Sequence, residues 1–143
     1  MNLSAPIKIT RNYDEFTDEF LSQDIDANAF THLDHLGVAF EILRRFDFLM
    51  AVQIYSESLD AIASKAGASD KFNLTVTLAC MSIISERMQP GEEFETFVNT
   101  NHDLLEVNFL KDYYTDARLN STKAKGMFLM PDKQGSDKQG PDS

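Results

Sequence analysis

The apolar residues between positions 48 and 66 recur at the spacing of one face of an α-helix, and this pattern constrains the fold most strongly. The stripe consists of Phe48, Val52, Tyr55, Leu59, Ile62 and Ala63. Shorter stripes of the same kind predict helices over residues 14–22, 30–45, 71–88, 92–98, 103–114 and 121–128. The sequence therefore predicts an all-α fold, a compact single-domain bundle of about five or six helices.

A length of 143 residues fits one domain with one hydrophobic core. We expect residues 1–130 to form the helical bundle. Residues 131–143 contain no large apolar side chain, and the tetrapeptide Asp-Lys-Gln-Gly at 132–135 recurs at 137–140. Such a segment cannot bury a core, so it is predicted to be a disordered polar tail.

The charge of the chain limits its partners. With 23 acidic and 13 basic residues the formal net charge is −10. This field repels nucleic acid and anionic lipid, so we expect neither nucleic acid nor a membrane as a partner. No apolar run approaches the ~18–20 residues that a membrane span needs, and no secretory signal is visible. Because Cys80 is a single cysteine and cannot form an internal disulfide, the sequence predicts a cytoplasmic protein.

Two histidines lie among the apolar residues of the helix predicted over 30–45. At roughly 100° per residue, one face of this helix carries His32, His35, Leu36, Ala39, Ile42, Leu43 and Phe46. The opposite side carries Asp34, Gly37, Glu41, Arg44 and Arg45. An imidazole in a core needs a hydrogen-bond partner, a ligand or a neighbouring acid, because its ring nitrogens are polar. The pair marks the place where this chain is expected to carry chemistry.

Polar residues on two other predicted helices are expected to face the histidine pair, because helices of a small bundle pack side by side. They are Tyr55 on the helix over 48–66, and Asn73, Thr77 and Arg87 on the helix over 71–88. A few convergent polar groups in an apolar shell are typical of a small-molecule site. We expect these four side chains to bind a ligand. If the protein is an enzyme, the catalytic residues are the two histidines, acting in acid–base chemistry.

Each of these residues also has a purely structural interpretation. Thr77 can return its hydroxyl to a carbonyl one turn back. Asn73 can cap a helix, and Arg87 lies close enough to a helix end to reach solvent. A hydrogen-bond network between the two imidazoles, or one that includes Asp34, would satisfy the rings as well as a ligand would. At this point both interpretations are open.

The histidine spacing is weak support for a metal. Two imidazoles one turn apart can share an ion, but the chain offers only His102, Cys80 and scattered acids as further ligands. Neither Glu-x-x-His nor His-Glu-x-x-His occurs in the sequence. No metal is therefore predicted, and the cofactor is left open. Cys80 lies between Ala79 and Met81 and is interpreted as a small buried thiol rather than a nucleophile.

Several short motifs follow one another along the chain. They are Phe30-x-His32-x-x-His35-x-x-x-Ala39, Thr75-x-Thr77, Glu86-Arg87, Tyr113-Tyr114, Leu119-x-Ser121-x-x-Ala124 and Phe128-x-x-Pro131-Asp132. In order and spacing they resemble a group of small, mostly bacterial, uncharacterised helical proteins, over residues 30–132. Asn73 stands where that pattern has a third histidine, and Lys125 where it has an arginine. The resemblance implies a compact helical fold and no particular activity.

Two functional hypotheses follow from the sequence. The first is a protein that binds a small molecule in a pocket lined by His32 and His35. The second is a non-catalytic interaction or accessory protein whose acidic surface, with Glu92, Glu93 and Glu95, engages a basic protein partner. The sequence does not decide between them, nor whether the protein is an enzyme.

Overall fold

Helices make up most of the described chain. The structure, a computed structural model, describes residues 5–133. Its α-helices are α1 (Tyr13–Leu21), α2 (His32–Arg45), α3 (Phe48–Lys65), α4 (Leu74–Arg87), α5 (Phe94–Thr100), α6 (Asp116–Leu119) and α7 (Thr122–Gly126). Short 3-10 turns lie between them at Ala27–Ala29, Ser69–Lys71, His102–Leu105 and Phe109–Asp112. No strand occurs within residues 5–133, and the predicted all-α single domain is confirmed.

Short polar side chains fix where the main helices begin. Asn12, Asp47 and Asn73 accept backbone N–H groups from the first turns of α1, α3 and α4. Thr31 and Asp34 form a capping box at the start of α2, in which each side chain accepts the other residue's backbone N–H. Each cap contributes about 1 kcal/mol. The predicted break between α2 and α3 is confirmed, and the Asp47 cap starts the new helix there.

The single helix predicted over residues 103–114 is wrong. The structure has two separate 3-10 turns in this segment, joined through an exposed Val107. On a continuous α-helix, Leu104, Phe109 and Leu110 would point roughly 100° to 140° apart, so no single face could bury all three. The two turns instead direct all three side chains into the core, where each is buried.

Smaller differences concern helix ends and lengths. α2 begins at His32 rather than at residue 30, because Thr31 caps it. The four-residue helix α6 was not predicted, and α7 ends at Gly126, two residues earlier than expected. α3 has 18 residues. Within the described range, no helix combines the length and the apolar character that crossing a membrane requires.

α2 is the central helix of the bundle. It packs against α1, α3, α4 and α5, and every residue from 36 to 42 is buried. The side opposite the histidines is therefore also covered, and it buries Asp34 and Glu41. α1 lies on that side and approaches closely at Gly37, where an added Cβ would lie 2.7 Å from the Tyr13 ring. Glycine at this position thus lets α1 pack on α2.

The segment over residues 127–133, here called the C-terminal strap, is bonded across the bundle. Thr75 Oγ1 donates to the Met127 carbonyl at 2.6 Å and accepts the Leu129 N–H at 3.0 Å. Tyr114 Oη donates to the Leu129 carbonyl at 2.8 Å. Residues from the Thr-x-Thr and Tyr-Tyr motifs, far apart in sequence, therefore hold the same stretch of backbone.

The strap includes the first residues of the predicted tail. Asp132 accepts the Thr115 backbone N–H at 2.8 Å and its hydroxyl at 2.7 Å. These two bonds lower the pKa of the Asp132 carboxyl. The Lys133 N–H donates to the Tyr113 carbonyl at 3.0 Å. Residues 131–133 of that predicted tail are thus attached to the bundle, and residues 134–143 lie outside the described residues.

Candidate ligand-binding site

A cavity of about 250 Å³ lies beside the first turn of α2. Its polar lining consists of His32, His35, Tyr55, Asn73 and Thr77. Its remaining lining consists of Leu59, Val76, Cys80, Val107, Phe109 and Leu110. We call it the histidine cavity. α2, α3 and α4 each contribute polar side chains, as expected from the helical faces, and the 3-10 turn at Phe109–Asp112 closes the wall with apolar ones.

His32 is the first residue of α2 and is half-buried. Its Nε2 lies 2.8 Å from the Leu104 carbonyl oxygen, which can only accept, so this nitrogen carries the proton and donates it. The centroids of the His32 and Phe109 rings are 6.1 Å apart, so the two rings form adjoining parts of one wall. Leu104 belongs to a region that was predicted to be helical, which is why the sequence did not indicate this bond.

His35 bonds to the second polar ring of the cavity. Its Nδ1 lies 3.1 Å from Tyr55 Oη, while the His35 carbonyl oxygen lies farther from that hydroxyl, at 3.5 Å. We assign the single Tyr55 proton to the nearer acceptor, Nδ1. The neutral imidazole then carries its own proton on Nε2. Within the described residues, the Tyr55 hydroxyl is the one hydrogen-bond partner recorded for this ring.

Burial keeps the His35 ring neutral. Desolvation, followed by the charge of His32, lowers the pKa of His35 from 6.5 to about 4, although Asp34 acts in the opposite direction. Burial also raises the pKa of the Tyr55 hydroxyl, so it stays protonated and able to donate. The Phe30 ring packs against His35 with centroids 4.1 Å apart. At pH 7 the His35 ring and the Tyr55 hydroxyl therefore present hydrogen-bonding groups and no charge.

Asn73 and Thr77 hold α4 in place as well as lining the cavity. Asn73 Oδ1 accepts the Val76 N–H at 3.0 Å, and its Nδ2 donates to the Leu119 carbonyl at 2.7 Å. Thr77 Oγ1 donates to the Asn73 carbonyl at 2.9 Å. Both structural interpretations made from the sequence are therefore confirmed. Each side chain still keeps unused capacity, since an amide has a second N–H and a hydroxyl oxygen has lone pairs.

Arg87 does not line the cavity. It lies ten residues after Thr77 on the same helix, which corresponds to roughly 15 Å. Its guanidinium donates to Asp103 at 2.8 Å and to Asn101 at 3.2 Å. The hydrogen bond that Arg87 donates to Asp103 is the main cause of the raised pKa of Arg87. The structure thus separates Arg87 from the other five expected site residues and pairs it with an acid at the far end of α4.

The thiol of Cys80 lies in the cavity wall. Burial raises the pKa of this thiol to about 12, so it is protonated at neutral pH. A protonated thiol is a poor nucleophile, which agrees with the interpretation of Cys80 as a small apolar group. No three His, Cys, Asp or Glu side chains within residues 5–133 are grouped as at a metal centre.

Sequence reasoning missed most of the apolar wall and two neighbouring features. Leu59 could have been found, because it lies one helical turn after Tyr55. Phe109 could not, because its segment was wrongly predicted to be one continuous helix.

A second cavity of about 450 Å³ shares His35 and Leu59 with the first and is also lined by Asp70 and Lys71. On the opposite side of α2, a cleft of about 440 Å³ is lined by charged residues. They are Arg11, Asp14, Glu41, Arg44, Glu93 and Glu95.

Asp34 is the centre of a buried polar cluster beside that charged cleft. Its carboxylate accepts hydrogen bonds from Tyr13 Oη at 2.6 Å and from the Thr31 N–H at 3.0 Å, and it forms an ion pair with Arg11 Nε at 3.1 Å. Burial and the Asp34 hydrogen bond raise the pKa of Tyr13. The structure therefore does not join Asp34 to the histidines; it uses this acid to hold the segment before α1.

Comparison with protein-family models, curated proteins and solved structures finds no match for this chain. The motif resemblance therefore stays an interpretation of short patterns. The functional argument rests on the geometry of the histidine cavity.

Proposed function

We propose that this protein binds a small molecule in the histidine cavity, with His32 and His35 as hydrogen-bonding groups. The observation that supports this most strongly is the convergence of five polar side chains from three helices on one largely apolar cavity. Ligand sites in proteins share this composition, because apolar walls provide affinity and a few polar groups orient the ligand.

Catalysis by the same histidine pair is the weaker form of this proposal. A general base works best when its pKa is near the operating pH. His35, with a pKa of about 4, is a poor base and a good neutral donor at pH 7. We therefore assign His35 a binding role, and we keep acid–base catalysis by His32 and His35 as the activity to assay once a ligand is known.

A protein-observed NMR screen of neutral fragments tests this function. We expect hits to shift the ring signals of His32 and His35 and to leave those of His102 unchanged. His35→Leu should weaken the hits about tenfold or more, because the ring and its donor are both lost. The matched control is His102→Gln, which changes a histidine that does not line the cavity. Equal affinity for His35→Leu and the parent protein would rule the proposal out.

The alternative function, binding of a basic protein partner, is supported by the net charge of −10. The structure uses two of the expected contact residues within the chain, since Glu95 accepts the Ile9 N–H and Glu92 the Gln89 N–H. A binding surface formed by Glu92, Glu93 and Glu95 should lose affinity as salt rises and on charge reversal. An affinity that changes neither with salt nor on charge reversal would count against this alternative.

A cytoplasmic location belongs to the same proposal. It is supported by the single cysteine, whose thiol is protonated and cannot pair within the chain. The acidic charge likewise argues for a partner other than nucleic acid. Cell fractionation of the tagged protein tests the location directly, and recovery with the membrane fraction would contradict it.

A further inference from the structure

The size of the histidine cavity limits its ligand. A dry apolar cavity of about 150 Å³ is known to take one benzene molecule. The histidine cavity, at about 250 Å³, exceeds this by two-thirds. The space within its walls therefore fits one ring with substituents or two fused rings.

The charge of the wall limits the ligand further. The residues of the described chain that line the cavity include no Asp, Glu, Lys or Arg. A charged ligand would lose its hydration without gaining an opposite charge, which is costly in an apolar site. The neutral His35 ring and the protonated Cys80 thiol add no charge at pH 7. The neighbouring cavity, with Asp70 and Lys71, offers the charged surroundings that this one lacks.

Rings and hydrogen-bonding capacity point to the chemistry of the ligand. The wall contains four aromatic rings, those of His32, His35, Tyr55 and Phe109. Aromatic rings pack favourably against one another in stacked or edge-to-face arrangements. His35 Nε2–H makes no hydrogen bond within the described residues and is available to donate, and the Thr77 hydroxyl oxygen has a lone pair for a donor. A hydroxyl group on an aromatic ring supplies both functions with one oxygen atom.

We propose that the histidine cavity binds a neutral aromatic molecule of one or two rings that carries a hydroxyl or carbonyl oxygen, with this oxygen accepting from His35 Nε2–H. This inference rests on the proposed small-molecule function and names the ligand class. The rings of the ligand lie against the aromatic and aliphatic wall.

Three related probes test the ligand class by titration of the intact protein at pH 7, followed by NMR. 1-Naphthol is neutral and carries the oxygen, naphthalene lacks it, and 1-naphthoate is an anion of similar shape. We expect 1-naphthol to bind about tenfold more tightly than naphthalene, the effect of one hydrogen bond in a desolvated site. We expect 1-naphthoate to bind at least tenfold more weakly than 1-naphthol.

His35→Phe is the matching variant, because it keeps an aromatic ring and removes the donor. It should reduce the affinity for 1-naphthol to that for naphthalene and leave naphthalene binding within twofold of the parent value. His102→Gln should change neither. The comparison of the three probes on the unaltered protein needs no variant, so a folding defect in His35→Phe would not prevent the test.

The outcomes separate this inference from the proposed function. Equal binding of 1-naphthol and naphthalene, or tighter binding of 1-naphthoate, would overturn the ligand class even if fragments bind in the cavity. Absence of binding by all three probes would overturn it as well. The fragment screen with His32 and His35 as reporters then decides separately whether the cavity binds any small molecule.

Discussion

Asp34 and His35 are neighbours in sequence and lie on opposite sides of the first turn of α2, yet their polar groups are used differently. The Asp34 carboxylate accepts hydrogen bonds from Tyr13 and Thr31 and forms an ion pair with Arg11. The His35 ring has one recorded partner within the described chain, Tyr55, and a 250 Å³ cavity beside it. A buried group whose bonds are all made within the chain stabilises the fold, whereas one with spare capacity next to a cavity is available for a ligand.

The largest effect on the free energy of unfolding is expected from Asp34→Ala. The change removes the carboxylate that accepts from the Tyr13 hydroxyl, the ion pair to Arg11 and the reciprocal cap at Thr31. Together these losses should lower the free energy of unfolding by about 3 kcal/mol. Urea denaturation followed by circular dichroism measures it. The control is Asp60→Ala, an exposed acid on α3 that should cost no more than about 0.5 kcal/mol; similar losses for both would remove the contrast.

An intermediate effect is expected from pH, through His35. Its pKa is 6.5 in the unfolded chain and about 4 in the fold. Below pH 6.5 the unfolded chain binds a proton at His35 that the folded chain does not. The contribution of neutral His35 to the free energy of unfolding is therefore complete above pH 6.5 and is lost as the pH falls towards 4. Between pH 7 and pH 4.5 the free energy of unfolding should fall by about 2 kcal/mol through His35. Denaturation of the parent protein and of His35→Phe at both pH values isolates it, and an identical pH dependence would contradict it.

The smallest effect on stability is expected from His35→Phe at pH 7. The aromatic contact with Phe30 is kept, and the Tyr55 hydroxyl loses its Nδ1 acceptor while retaining the His35 backbone carbonyl at 3.5 Å. The free energy of unfolding should fall by about 1 kcal/mol. The same denaturation experiment measures it. If His35→Phe were as damaging as Asp34→Ala, both sides of α2 would have to be regarded as structural.

The motifs that follow one another along the sequence divide between the fold and the cavity. Thr75 and Tyr114 bond to the C-terminal strap, and Asp132 within the strap bonds back to Thr115. Thr77 and the first-turn histidines are the motif residues that line the cavity.

Five of the six residues that the sequence predicted to face one another line one cavity, because helical periodicity is a local property. The positions of His32, His35, Tyr55, Asn73 and Thr77 on their helices follow from spacing alone, and short helices joined by tight turns pack side by side. Arg87 failed the same reasoning. Its angular position was right for the cavity, but its distance along α4 was too large, and a helical wheel omits distance along the axis.

The sequence by itself determined the main helices, α1 to α5, and the presence of two polar rings on a core face, because spacing and capping act within a few residues. The tertiary structure decided which groups are satisfied. Packing of α1 at Gly37 buried the second face of α2, and the 3-10 turns near Leu104 supplied the carbonyl for His32. The neutral state of His35 likewise comes from burial by residues distant in sequence. Burial and hydrogen-bond partners depend on contacts between elements, which no local pattern encodes.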